Sequence, residues 1–177
     1  MRKYVLLILF LALIGQAFAG ETARYKLDSL RLQYQEASKN EEVANAFYKL
    51  MSTYQGHDPL VLSYQAASEA VMAKYVWNPY SRLKHLKTAS AIFERAVKLD
   101  NTHPEIRFLR FTVEHYVPRY LNLSGHVAED KQIVLSSLQA YPNSVLSPGL
   151  AKTIRDFMLS KDHCTEAEKV ALRSVQI

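Results

Sequence analysis

Residues 89–111 read ASAIFERAVKLDNTHPEIRFLRF and contain the end of one helix, a short connection and the start of the next. Ala89, Ile92, Phe93, Ala96, Val97 and Leu99 fall on one side of a 3.6-residue period, and Ser90, Glu94, Arg95 and Lys98 on the other. This predicts a helix that buries one face. Ala89 and Ala96 are small enough for a neighbouring backbone to approach, and Phe93 fills the space which that approach leaves one turn on. Asp100-Asn101-Thr102-His103-Pro104-Glu105 then stops one helix and starts another. Pro104 suits a first turn that needs no N–H, and Thr102 with Glu105 fits the S/T-x-x-E capping box.

The same rules extend the pattern in both directions. A first helix is expected over residues 22–36. A second, after the break at Ser38-Lys39-Asn40-Glu41, carries Val43, Ala44, Phe47, Leu50, Met51 and Tyr54. Asp58-Pro59 caps and opens a third that runs to about Val76; its small and apolar residues nearly encircle it, which marks it as a candidate central helix. Trp77-Asn78-Pro79-Tyr80 breaks the chain before a fourth helix that ends at Leu99. A fifth runs from Pro104 to near Val117, a sixth ends before Pro142, a seventh starts at Ser147-Pro148, and Thr165-Glu166-Ala167-Glu168 caps an eighth. No run alternates apolar and polar residues over the length of a strand, and the whole chain has only 5 glycines. The expectation is an all-α protein of about seven to eight helices.

The first nineteen residues have the form of an export signal. Arg2 and Lys3 form a basic start, Val5 to Ile14 an apolar run, and Ala17-Phe18-Ala19 a small-x-small cleavage site before Gly20. The apolar run is shorter than the ~20 residues of a spanning helix. A signal peptide at 1–19 and one helical domain at 20–177 are therefore expected, in the periplasm or outside the cell, with no transmembrane anchor after cleavage. The chain has 22 basic and 17 acidic residues, a formal charge of +5. Without Arg2 and Lys3 the excess is too mild and too scattered to suggest a nucleic-acid partner. The single cysteine, Cys164, cannot form an internal disulfide, so packing must stabilise the fold.

Ala89, Phe93 and Ala96 followed by LDNTHPE resemble the second helix and turn of a tetratricopeptide repeat, in which small-aromatic-small spacing lets hairpins nest. Asn101 stands where that family usually has proline, and the Trp, Leu, Gly and Tyr of its first helix are missing. The wider block, from Tyr75-Val76-Trp77-Asn78-Pro79 to Tyr116-Val117-Pro118-Arg119-Tyr120-Leu121, is similar to small exported tetratricopeptide-like proteins of Gram-negative bacteria without an assigned activity. The resemblance implies antiparallel helical hairpins stacked as a short right-handed array. The family names no function; the main expectation for this chain is a non-enzymatic adaptor that binds an envelope protein or peptide. A small envelope hydrolase and a small-molecule carrier with an aromatic, basic pocket are the alternatives.

No nucleophile motif, P-loop or dinucleotide fingerprint is present, so no catalytic residue and no cofactor is expected. The six histidines form no H-x-x-x-H pair, and no metal site is expected either. One constellation suggests binding: Lys74, Trp77, Asn78, Tyr80 and Arg82 around one break, with Arg107, Arg110, Glu114, His115, Arg119 and Tyr120 beyond the next loop. Arginine forks recognise carboxylates and aromatic rings offer rigid contact area, so these residues would suit an acidic peptide, a chain terminus or an anionic glycan. On the plainer reading Trp77 and the tyrosines are core, and Arg107 and Arg110 pair with inner carboxylates such as Glu69 and Glu114.

Overall fold

The computed structural model describes residues 24–177; the expected signal peptide lies outside them. Among the described residues the chain is all-helical, with no strand. The eight α-helices among these residues are α1 (Leu27–Ala37), α2 (Glu41–Met51), α3 (Pro59–Tyr75), α4 (Pro79–Leu99), α5 (Pro104–Glu114), α6 (Val127–Gln139), α7 (Pro148–Leu159) and α8 (Glu166–Arg173). A short 3₁₀ helix, Arg119–Leu121, joins α5 to α6.

Local chemistry starts most of these helices. The side chains of Asn40, Asp58 and Asn78 accept from backbone N–H groups in the first turns of α2, α3 and α4, groups that have no partner within the helix. Proline occupies the first position of α3, α4, α5 and α7. Thr165 and Glu168 form a reciprocal capping box on α8. The expected box at Thr102 and Glu105 does not form. Asp100 instead accepts from the backbone N–H groups of Thr102 and His103, and His103 Nδ1 caps α5. Glu105 is buried and makes its contacts with α1 and α3, so it cannot reach back to the cap.

Ala89, Phe93 and Ala96 form the buried face of α4, which packs mainly on α3. Leu99, expected on that face, is exposed at the last residue of the helix. The larger apolar core joins α1, α2, α3, α4 and one side of α5, through Leu30, Phe47, Leu62, Phe93, Ile106 and Leu109. A second core joins the other side of α5 to α6, α7 and α8, through Phe111, Val134, Leu138, Ile154, Met158 and Leu172. The third helix is largely buried, as its composition suggests. The element common to both cores, however, is α5, which ends at Glu114, one turn earlier than expected.

Helix α5 carries four charged residues, Glu105, Arg107, Arg110 and Glu114, and all are buried. Each is tied to a neighbouring element. Glu105 holds Arg31 of α1 and accepts from the Tyr64 hydroxyl of α3. Arg107 and Arg110 both donate to Asp130 of α6, which is 0% exposed, at 2.7–2.9 Å. Arg107 also reaches Glu129 and the Asn101 carbonyl, and Arg110 reaches Glu94 of α4. Glu114 accepts from the backbone and ring nitrogens of His126. The carboxylates expected to meet the two arginines are thus engaged elsewhere: Glu69 binds His85, and Glu114 binds His126. Burial opposes the charge on Arg110, but the hydrogen bond and charge of Asp130 outweigh it and raise its pKa above the ordinary value.

Removing one partner of a buried ion pair strands the other charge in a low-dielectric site. Asp130→Ala should therefore lower the urea-unfolding free energy by about 3–5 kcal/mol. Asp156→Ala, which removes only surface pairs with Lys152 and Arg155, should change it far less. Equal effects from the two variants would contradict the structural role given to Asp130.

Candidate functional site

The odd-numbered helices share one concavity. Residues of α1, α3, α5 and α7, with the start of α4 and the 3₁₀ segment, line a groove of about 1490 Å³. Its floor is apolar, formed by Val71, Leu83, Phe108, Leu109, Val113 and Phe157. Phe108 and Phe157 meet edge to face, with ring centroids 5.2 Å apart, which joins the α5 and α7 sides. Tyr34 and Thr112 share a hydrogen bond across the floor between α1 and α5.

Two groups of charges border this floor. In the first, Arg31 lies between Asp28 and Glu105, and the Tyr64 hydroxyl donates to the same Glu105 carboxylate at 2.7 Å. The Glu105 hydrogen bond raises the Arg31 pKa, and burial followed by the Glu105 charge pushes the Tyr64 phenol up. In this group one guanidinium meets two carboxylates, so no cation is left over.

The second group is different. Lys74 donates to the Ser38 carbonyl and lies over the Tyr75 ring, and Arg82 donates to the Val76 carbonyl. Lys161 lies over the Tyr116 ring, 5.3 Å from its centroid. Among the described residues none of these three cations is paired with a carboxylate.

The residues expected to form one site are therefore divided. Lys74, Arg82 and Tyr120 line the groove, with Tyr116 beside them. Arg107, Arg110 and Glu114 face α4, α6 and the start of α6 instead, where they are enclosed by their partners. Asn78 is the cap of α4. His115 lies behind Tyr116 against His163. Trp77, Tyr80 and Arg119 are exposed and outside the groove lining. The plainer reading, with Trp77 and the tyrosines in the core, does not hold for Trp77, Tyr80 and Tyr120. Trp77 is 92% exposed, in the connection just before the Asn78-capped start of α4.

Arg31, Tyr64, Glu105 and Lys161 were not anticipated at the site. Arg31 and Glu105 are 74 residues apart, and no local spacing announces such a pair. Glu105 and Lys161 also sit at helix ends, where capping and solvation are the ordinary reading of a charge.

At one end of the groove His163 is buried and stacked on Phe157, centroids 4.2 Å apart. Its Nδ1 faces the Phe157 carbonyl at 2.8 Å and so carries the proton; Nε2 accepts from the Tyr116 hydroxyl at 2.7 Å. Burial lowers the His163 pKa from its ordinary value of 6.5. Nearby Cys164 is buried as well, and its thiol is pushed up by that burial, which disfavours the nucleophilic thiolate.

Because the His163 pKa is lower folded than unfolded, the unfolded chain binds this proton more readily. The stability due to neutral His163 is complete above the unfolded pKa and falls as pH drops through 6.5 toward the folded value. Thermal melting followed across this range should show lower stability at acid pH. The slope should be shallower in His163→Asn, whose side-chain amide can still donate to the Phe157 carbonyl. An unchanged slope would contradict burial of a neutral ring.

No family model, curated protein or solved structure matches the chain.

Proposed function

We propose that the chain is an exported, non-enzymatic adaptor of tetratricopeptide-like type whose groove takes an acidic, amphipathic segment of another cell-envelope protein. In this reading the hairpins α1–α2, α3–α4, α5–α6 and α7–α8 stack as a short right-handed array. Support comes from the lining: the first helix of each hairpin faces a common concavity, as expected when repeats present equivalent faces to a ligand.

The observation that carries the proposal is the set of three cations, Lys74, Arg82 and Lys161, without carboxylate partners beside an apolar floor. A segment with apolar residues on one face and Asp or Glu on its flanks satisfies both features, since helix-in-groove recognition joins apolar anchors to complementary rim charge. The groove volume, about 1490 Å³, exceeds the roughly 300–1,000 Å³ of a small-molecule pocket, which favours a chain segment over a carried metabolite.

Fluorescence anisotropy with two labelled amphipathic peptides tests this. They share one apolar pattern, with glutamate flanks in one and lysine flanks in the other. The acidic peptide should bind saturably and more weakly as salt rises. It should lose about tenfold or more in a Lys74→Glu, Arg82→Glu, Lys161→Glu variant. Equal binding of the two peptides, or an unaffected variant, would overturn the assignment.

A further inference from the structure

We propose that His115, Asp162 and His163 form a binding site for one divalent transition-metal ion of the zinc class, at the α7 end of the groove. One ligand atom from each of the three lies within 4.8 Å of the other two. His115 Nε2 and Asp162 Oδ1 are already 3.7 Å apart. Tetrahedral ligands at zinc–nitrogen and zinc–oxygen distances sit about 3.4 Å from each other, so a small inward movement closes the set. Two imidazoles and one carboxylate are the donor types that such an ion prefers, with the fourth position left to water.

The site is held from behind. His163 is fixed by its stack on Phe157 and by the Nδ1 hydrogen bond to the Phe157 carbonyl, the kind of outer contact that sets the tautomer of a metal-binding histidine. That leaves Nε2 as the ligating atom. Its present partner, the Tyr116 hydroxyl, can turn away at little cost because Tyr116 is 54% exposed. The His115 ring packs edge-on to His163, centroids 4.8 Å apart. Asp162 is exposed and can swing onto the ion. The Lys161 ammonium, over the Tyr116 ring, opposes a cation here, and the Asp162 carboxylate offsets it.

Sequence spacing could not reveal this group, since His115 caps the end of α5 while the other two lie in the connection between α7 and α8. The assignment stands apart from the peptide reading: the site would bind metal whether or not the groove takes a segment.

The test is titration of the purified protein with Zn²⁺ by calorimetry and with Co²⁺ by visible absorption, on wild type, His115→Gln and Asp162→Asn. Circular dichroism confirms that the variants fold, which the exposure of Asp162 favours. Wild type should bind one ion per chain, show the intense d–d absorption of four-coordinate Co²⁺ and melt higher with Zn²⁺. Both variants should lose about tenfold or more in affinity. Absence of saturable binding, or affinity unchanged in the two folded variants, would overturn the site and leave only adventitious binding at surface histidines.

Discussion

Asp130 is a carboxylate removed from water, and it is tolerable there only because the guanidinium groups of Arg107 and Arg110 meet it from the facing helix. The three side chains impose one register between α5 and α6. A sliding apolar interface has many near-equivalent packings, whereas this one strands charges if it moves by a turn. Glu129 and Glu94, both partly exposed, surround the arginines with further acceptors and connect the network to solvent. Such a network need not exceed an apolar interface in stability. What it supplies here is a fixed position for α5, the helix that both apolar cores share.

From that position the remaining geometry follows. One side of α5 presents Ile106 and Leu109 to the first core, another presents Phe111 to the second, and Phe108, Val113 and Thr112 face the groove. Glu105 at its start ties in α1 and α3, and Glu114 at its end ties in the turn that begins α6. The groove floor is therefore a face of the same helix whose opposite side is locked by charge. Its cationic border comes from other elements, from Lys74 and Arg82 at the α3–α4 junction and Lys161 beyond α7, and among the described residues has no carboxylate partner.

Helix boundaries were legible because they depend on neighbours in sequence. Asp58-Pro59 and Thr165 to Glu168 are complete start signals within a few residues, and the structure uses both, while Asn78-Pro79, read as a break, proves to be the cap and start of α4. The buried face of Ala89, Phe93 and Ala96 was legible for the same reason. Pairing was not. Arg107 and Arg110 stood out as arginines among apolar residues, but Asp130 lies 20 or more residues away behind a loop, and nearer carboxylates looked equally suitable. Of the expected site, Lys74, Arg82 and Tyr120 do line one groove, because they follow from where the α3–α4 and α5–α6 connections sit. Trp77 looked like core on composition alone, yet it lies in the short connection between α3 and α4 and is exposed.

If α5 is the fixed joint between two cores, the two cores must unfold together. Native-state hydrogen exchange under increasing denaturant measures this directly, since it reads the opening free energy of each helix. The predicted result is that slow amides of α3, α5 and α6 merge into a single isotherm at the global unfolding free energy. Amides of α6 to α8 opening together at a clearly lower free energy, while α1 to α5 stay protected, would contradict it.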